Sequence, residues 1–276
     1  MLTLIALASA LSALRDADAR VAAVAWRLQT ANVALCQDVV PLPGFSIETL
    51  DQYSPSERRE AVAEFGLEDL PQVSAVVPQS AAGKAGLKPG DTILAVDGQP
   101  MSRAVAAKSD YARTAAAETA LAAALARPPV TLTLASRTLS FSGDRGCASS
   151  VQFVPGSRLD SLADGHYVQI SGAMYTFVAN DDELAFILAH ELAHNIVPEA
   201  RHAASPSRQR AAELEADHAA IGMMRRAGYD IGTVVPLMER LRRKNRLSWL
   251  DGSHPAWPLR LAAATRAVNE AAGIAR

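Results

Sequence analysis

The chain lacks an excess of charge of either sign. Its 276 residues include 27 Lys and Arg and 29 Asp and Glu, so the formal net charge is −2. A nucleic-acid-binding domain usually carries a strongly basic surface, so this balance argues against a nucleic-acid partner. The basic run Arg240–Arg246 is local, and such a run is more often a solvated helix face than a binding patch.

The sequence also lacks an apolar run long enough to cross a bilayer, which takes about 20 residues. Residues 1–13 are apolar and rich in small residues but have no basic start, and Ala-Ser-Ala within them resembles a signal cleavage site. We interpret them as a secretory signal with a shortened start. The alternative is the opening of a helix that continues through Val21, Val24 and Leu28. No transmembrane helix is expected, and membrane association stays open.

Cysteine is scarce. Cys36 and Cys147 are the two cysteines of the chain, and we expect them to pair. Closing so long a loop would stabilise the fold by about 2–4 kcal/mol. A disulfide also favours an oxidising location, so we expect a periplasmic or secreted protein. The alternative is two unpaired buried thiols.

One motif stands out against this background, the segment His190-Glu191-Leu192-Ala193-His194. Residues four apart share a helix face, so both imidazoles can reach one metal ion while Glu191 lies beside it. Asn180 followed by three acidic residues predicts a helix start, and Pro198 predicts its end. Two neutral His ligands and an adjacent carboxylate base are typical of a zinc hydrolase.

A second Ala-rich helical stretch offers the remaining ligand. Glu213 and Asp217 are four residues apart and share a face, whereas Glu215 points away from both. We predict Glu213 as the third zinc ligand and Asp217 as the outer carboxylate that accepts a ring N–H from a ligand His. The alternative is a solvated acidic helix face. His218 is expected to be an ordinary polar residue of this helix.

HELAH followed by ELEAD resembles the glutamate-zincin metallopeptidases, in particular the HtpX and CaaX-prenyl-endopeptidase relatives of peptidase family forty-eight. The segment Tyr167–Met174 is similar to the family's strand and glycine before the zinc helix, which forms the active-site edge. Ser253-His254-Pro255 with Arg260 is similar to its late His-Pro…Arg element. The resemblance covers roughly residues 150–270, and it implies one catalytic Zn²⁺ per chain.

The same resemblance implies roles for two late residues. His254 and Arg260 would polarise the scissile carbonyl or stabilise the oxyanion. Alternatively, His254 would be a fourth zinc ligand that keeps the enzyme latent, or Ser253-His254-Pro255 would be a plain loop before the last helix.

The segment 200–209, which contains Ser-Pro-Ser, is a candidate mobile lid beside the metal.

Residues 73–100 carry a different pattern. A strand at Val73–Pro78, a short helix at Ser80–Ala85, a Gly-Pro-Gly turn and a strand ending in Asp97-Gly98 are predicted in succession. The run Ala-Gly-Leu-Lys-Pro-Gly-Asp resembles that of bacterial-type PDZ domains. This likeness implies a groove helix at 115–126 and closing strands at 130–135 and 138–141.

PDZ grooves bind an extended peptide at a sheet edge and hold its carboxylate with the N–H groups of a small loop. Phe65, Gly66 and Leu67 are our candidate for that loop. The alternative is a PDZ fold that serves as a spacer or lid.

We therefore expect an α+β protein, with a mainly helical zincin peptidase domain, a small edge sheet and an inserted PDZ-like domain. The expected boundaries are a signal or apolar segment (1–13), a helical part of the peptidase domain (14–62), the PDZ-like domain (63–143) and the metallopeptidase domain (144–276). The expected function is zinc-dependent cleavage of exported polypeptides. The alternative is a non-catalytic peptide-binding or chaperone-like protein with a structural or latent zinc.

Overall fold

A computed structural model describes residues 9–202, 204–244 and 255–273. It is a mixed structure of helices and strands, with 51% helix and 18% strand. Within the described ranges, no helix combines the length and the apolar character that a membrane crossing needs.

The chain divides into two compact units. The first unit contains the described residues up to Ala23 together with Val40–Arg145, and the second contains Val24–Val39 and the chain from Gly146 onward. Residues 14–23 and 40–62, which were expected in the peptidase domain, thus group with the PDZ-like segment.

The first unit is built around antiparallel strands and one long helix. Strand β2 pairs with β3, and a four-stranded sheet has the order β5–β4–β6–β7. Strands β1 and β8 pair, and the chain crosses between the units within them. The bounds are α1 (Ala10–Ala31, shared with the second unit), β1 (Val39–Leu42), β2 (Phe45–Glu48), α2 (Arg58–Phe65), β3 (Gln72–Val76), α3 (Ala81–Lys84), β4 (Ile93–Val96), β5 (Gln99–Pro100), α4 (Ala112–Leu125), β6 (Val130–Leu134), β7 (Thr138–Phe141) and β8 (Asp144–Cys147).

The predicted elements of the PDZ-like segment are confirmed. Ser80 caps α3 by accepting the N–H of Gly83, and Asp97-Gly98 forms the two-residue turn between β4 and β5. Both turn residues have positive φ, 48° and 78°, as a tight hairpin turn requires. The groove helix α4 starts three residues earlier than expected, at Ala112, and its buried face includes Leu121.

The second unit is mainly helical, with a three-stranded sheet of order β10–β11–β9. Strand β11 runs parallel to β9 and antiparallel to β10. The bounds are β9 (Ser150–Val154), β10 (Ser161–Ala163), β11 (Tyr167–Ser171), α5 (Gly172–Phe177), α6 (Asp181–Ile196), α7 (Pro206–Arg226), α8 (Val234–Lys244) and α9 (Trp257–Ala271).

The expectation that Tyr167–Met174 forms the active-site edge is wrong. Strand β11 is the central strand, and its backbone groups pair with β9 on one side and β10 on the other. In the described part of the chain, β10 is the edge strand that pairs with β11 in antiparallel orientation. This short strand comes before Tyr167 in the sequence.

Helix α6, which carries the HExxH motif, begins where the capping residue predicts. Asn180 Oδ1 accepts the N–H of Glu183 at 2.9 Å, and Glu183 Oε2 accepts the N–H of Ala179 at 2.7 Å. The helix ends at Ile196, and a 3-10 helix begins at Pro198, in agreement with the predicted stop. From Glu183 to Ile196 every residue of α6 is buried.

The predicted disulfide is present. Cys36 and Cys147 are bonded, with their Cα atoms 5.3 Å apart across a sequence separation of 111 residues. Gln29, near the C-terminal end of α1, donates to the carbonyl of Cys147 at 2.8 Å. The bond therefore joins the two chain segments of the second unit.

Two predicted segments differ from the structure at their bounds. Ala10–Ala13 belong to α1, whereas residues 1–8 of the expected signal lie outside the described residues. The candidate lid is shorter than residues 200–209, because Ser205 caps α7 and the helix begins at Pro206. Arg240 is also not simply solvated, since both of its terminal nitrogens contact Glu183 at 2.6–2.7 Å.

Candidate metal centre

The two motif histidines lie on one buried face of α6. His190 is 8% exposed and His194 is 3% exposed. Their Nε2 atoms are 3.2 Å apart, and their rings meet edge to face. Polar side chains this deeply buried require partners, because unpaired burial costs several kcal/mol, on the order of 2–7. Helix α7, which packs against α6, supplies them.

Glu213 and Asp217 are the buried acidic residues on the face of α7 that meets the histidines. Glu213 is 3% exposed, and its carboxylate oxygens lie 3.5 Å from His190 Nε2 and 3.7 Å from His194 Nε2. Glu215 is half-buried and His218 is exposed, so both lie away from the buried face of α7, as their helical spacing from Glu213 and Asp217 predicts.

The donor set fits a zinc ion. Donor atoms of His190, His194 and Glu213 all lie within 4.8 Å of one another. Zinc binds His nitrogen and carboxylate oxygen at about 2.0–2.2 Å, which places tetrahedral donors about 3.3–3.6 Å apart. The observed separations of 3.2, 3.5 and 3.7 Å are close to that range. These three residues could therefore hold a metal ion.

The ring nitrogens on the far side of both histidines face protein oxygens. His190 Nδ1 lies 3.0 Å from Asp217 Oδ1, although off the line of a full hydrogen bond, and His194 Nδ1 contacts the carbonyl oxygen of Ala200. An oxygen acceptor holds the proton on Nδ1 and leaves the Nε2 lone pair for a cation. Ala200 belongs to the 3-10 helix that begins at Pro198, so this segment also orients the ring of His194.

Asp217 is in turn held by Arg260 on α9. Arg260 donates to the two oxygens of Asp217 from Nε at 2.6 Å and from Nη2 at 2.8 Å. Burial alone would raise the pKa of Asp217, but the adjacent guanidinium lowers it to about 2. Asp217 is therefore a fixed negative charge beside His190. The carbonyl-polarising role of Arg260 remains a prediction, and His254 lies outside the described residues.

The buried carboxylates of Glu213 and Asp217 favour a positive charge on or between the two histidines. Burial lowers the pKa of His190, but the adjacent carboxylates of Asp217 and Glu213 outweigh burial and raise that pKa to about 10. Burial and the neighbouring charge on His190 lower the pKa of His194 to about 4.

Glu191, the predicted base, has a hydrogen-bond partner on the edge strand. Its Oε1 accepts from Ser161 Oγ at 2.7 Å, and Ser161 opens β10. Burial raises the pKa of Glu191. The sequence analysis missed Ser161, because a lone Ser in a strand of three residues carries no signal of its own.

His202 and Gln209 also lie at the site, although no sequence motif predicted them. The exposed ring of His202 stacks on the ring of His194, with centroids 4.1 Å apart, and Gln209 bridges His202 and Glu213. His202 follows no metal-ligand spacing, so no motif marks it. The available signal was Gln209, which precedes Glu213 by four residues and so shares its face of α7.

The candidate carboxylate loop of the PDZ-like segment is engaged in local packing. Gly66 ends α2 with φ +66°, and its N–H donates to the carbonyl of Val62 at 3.0 Å. Leu67 is buried, and Phe65 lies under the guanidinium of Arg15. The N–H of Gly66 is thus used by the helix end, while a ligand-binding role for these three residues stays a prediction.

Residues 72–121 match the family described as the PDZ domain. No curated protein matches the chain. The matched residues extend from β3 into α4, and PDZ domains bind extended peptides by pairing at a sheet edge. The chain therefore contains a PDZ domain, which suggests a peptide-binding or regulatory module, together with a His190, His194 and Glu213 group that could hold a metal ion.

Proposed function

We propose that the protein is a zinc-dependent endopeptidase that cleaves exported polypeptides, with its PDZ domain recruiting substrate or regulating cleavage. His190, His194 and Glu213 would hold the zinc ion. When bound, the ion would act as a Lewis acid on a peptide carbonyl and make water more acidic. The disulfide between Cys36 and Cys147 is compatible with an exported protein.

Glu191 is the proposed general base. It follows His190 directly on α6, so its carboxylate lies beside the ligand cluster, and the Ser161 hydroxyl orients it through Oε1. Its other oxygen can accept a proton from the attacking water and pass it to the leaving amine. Burial raises the pKa of Glu191, and a more basic carboxylate is a better proton acceptor.

Strand β10 is the proposed binding edge for substrate. It pairs with β11 on one side, it supplies Ser161 to the base, and Leu162 is 44% exposed. An extended peptide that pairs along the other side of β10 would gain main-chain hydrogen bonds beside Glu191. Strand β10 thus takes the place of Tyr167–Met174 as the proposed binding edge.

One observation carries the proposal. Three zinc-type donors, the carboxylate base Glu191 and the outer carboxylate Asp217 converge in the core of the second unit, although the burial of these five ionisable side chains is costly without a function or a cation. A purely structural helix pair would be more stable with apolar residues at these positions.

The test compares the wild-type protein with Glu191→Gln. We expect both to contain about one zinc per chain by elemental analysis. Wild-type protein should cleave unfolded casein in a manner that 1,10-phenanthroline abolishes, and the variant should lose at least about 10²-fold in kcat. Glu215→Gln, a half-buried neighbour outside the cluster, is the control. Cleavage by Glu191→Gln at the wild-type rate would refute the proposal.

The PDZ domain supports a second candidate, a non-catalytic peptide-binding or chaperone-like protein in which the metal is structural or latent. Under this alternative, the zinc-loaded protein binds unfolded polypeptides without cleaving them. His254→Ala separates a latent enzyme from a binding protein. Activation by that change favours latency, whereas bound zinc without turnover in both forms favours the binding protein.

A further inference from the structure

His202 lies against the metal ligands but is itself exposed. It comes two residues after Ala200, whose carbonyl contacts His194 Nδ1, and its ring stacks on the ring of His194 with an interplanar angle of 22°. His190, His194 and Glu213 are all buried. His202 therefore stands on the solvent side of the cluster, where a substrate would approach.

Gln209 determines which ring nitrogen of His202 carries the proton. Its Nε2 atom is 2.9 Å from Glu213 Oε1 and 2.9 Å from His202 Nδ1. A carboxylate oxygen accepts, so the amide nitrogen and not the amide oxygen must face it. The second N–H of the same amide then points to His202 Nδ1, which must accept. In the neutral ring, the proton is consequently on Nε2.

His202 is not one of the metal-binding donors. In the part of the chain that the structure describes, the group of donors that lie within 4.8 Å of one another consists of His190, His194 and Glu213. The Nδ1 atom of His202 is occupied by Gln209. Its Nε2–H thus remains a hydrogen-bond donor that is held beside the centre without belonging to it.

We propose that His202 is a further catalytic residue, whose Nε2–H donates a hydrogen bond to the peptide carbonyl oxygen as negative charge develops there. The assignment rests on the proposed peptidase function. No bond to hydrogen breaks in this role, because the proton stays on His202. A donor aimed at a developing oxyanion contributes about 10²–10³-fold to kcat.

Two substitutions at His202 distinguish hydrogen-bond donation by its ring from stacking of the ring on His194. His202→Phe keeps an aromatic ring over His194 but has no donor, whereas His202→Gln gives up the ring and keeps an amide N–H near the position of Nε2. We expect His202→Phe to lower kcat by about 10²-fold with little change in KM, and His202→Gln to recover about 10-fold of that loss. His218→Phe, on the exposed face of α7, is the matched control and should be unchanged.

A binding measurement gives a readout apart from turnover. A phosphinic peptide carries a tetrahedral anion that resembles the transition state, so its affinity should fall in His202→Phe by the same factor as kcat/KM. Zinc affinity should be equal in wild-type and variant protein. Full activity in His202→Phe, or a loss of zinc that explains the loss of activity, would overturn the assignment while leaving the peptidase proposal intact. Absence of cleavage by the wild-type protein would overturn both.

Discussion

Each histidine of the candidate metal centre has different partners for its two ring nitrogens. Nδ1 of His190 faces Asp217 and Nδ1 of His194 faces Ala200, while both Nε2 atoms face Glu213. A neutral imidazole has one donor and one acceptor nitrogen, so the outer contact decides which lone pair is free. The two Nε2 atoms are 3.2 Å apart, close enough to bind the same cation.

The ligand assignment on α7 has a direct test. Glu213→Ala removes a buried carboxylate that lies 3.5 and 3.7 Å from the two Nε2 atoms, so we expect zinc affinity to fall by at least about 10²-fold. Glu215→Ala changes a neighbouring carboxylate on another face of α7 and should leave zinc binding unchanged. Competition with a fluorescent chelator measures both affinities. The reverse result would move the ligand to Glu215.

A second prediction at the residue scale concerns Ser161. Its hydroxyl holds Oε1 of Glu191, so Ser161→Ala should lower kcat by about 10-fold, the value of one hydrogen bond to a charged group. Ser161→Thr keeps the hydroxyl and should retain most activity. Zinc content should be equal in all three proteins. Equal kcat for Ser161→Ala and wild type would mean that the base needs no such orientation.

At the scale of the element, α6 is unusual because it is buried on nearly all faces but begins with acidic residues. Glu183 in its first turn is buried, and it accepts from Ala179 as well as from both terminal nitrogens of Arg240 on α8. A carboxylate in the first turn also interacts favourably with the helix dipole. This ion pair anchors the N-terminal end of the motif helix to α8.

We expect Glu183→Gln to destabilise the fold by about 1.5–3 kcal/mol, because the charge-assisted hydrogen bonds from the partly exposed Arg240 to a buried carboxylate are lost. Hydrogen bonds from Arg240 lower the pKa of Glu183 below its ordinary value of 4.5. A carboxyl group with a lowered folded-state pKa stabilises above the unfolded pKa and loses that effect as the pH falls through the folded value. The difference between wild type and variant in urea unfolding should therefore be constant near pH 7 and shrink below about pH 4.5.

Glu239→Gln is the control for this experiment. Glu239 and Arg242 form a pair on α8 whose side chains are 37% and 46% exposed, and exposed pairs contribute about 0–1 kcal/mol. A pH-independent difference between wild type and Glu183→Gln would show that packing, and not the charge of Glu183, stabilises the start of α6.

At the scale of the whole molecule, the second unit is assembled from two distant chain segments. Residues 24–39 belong to it, but the first unit intervenes before the chain returns at Gly146. The disulfide between Cys36 and Cys147 and the contacts of Asn32 with Met223 and Arg226 tie the early segment to the later one. A covalent link between these segments lowers the conformational entropy of the unfolded chain. The reduction is large because the loop that the disulfide closes is long.

Removal of the disulfide should therefore lower stability without removing the metal. We expect Cys36→Ser with Cys147→Ser to reduce the free energy of unfolding by about 2–4 kcal/mol. Zinc content at room temperature should be unchanged, since neither cysteine belongs to the donor group. Mass spectrometry of unreduced, alkylated wild-type protein checks the bond itself. Two alkylated thiols would exclude the disulfide in the isolated protein.

The sequence alone determined the local features of the centre. The helix over the HExxH motif, its Asn180 cap, the shared face of Glu213 and Asp217 and the outward position of His218 all follow from the helical period and from capping chemistry. The PDZ pattern was equally local, because its glycines and Asp97 occupy turns that require positive φ. Such features depend on residues within about one helical turn or one hairpin of each other.

Tertiary structure decided which distant groups meet. Strand order made β10 and not β11 the edge, and so brought Ser161 to Glu191, and the turn after α6 placed Ala200 and His202 on His194. Packing of α9 directed Arg260 to Asp217. These contacts join residues whose separation in sequence has no fixed relation to their separation in space, so no spacing rule contains them. The residues that could bind the metal and act as the base were thus predictable from the sequence, whereas the groups that orient their side chains depend on the fold.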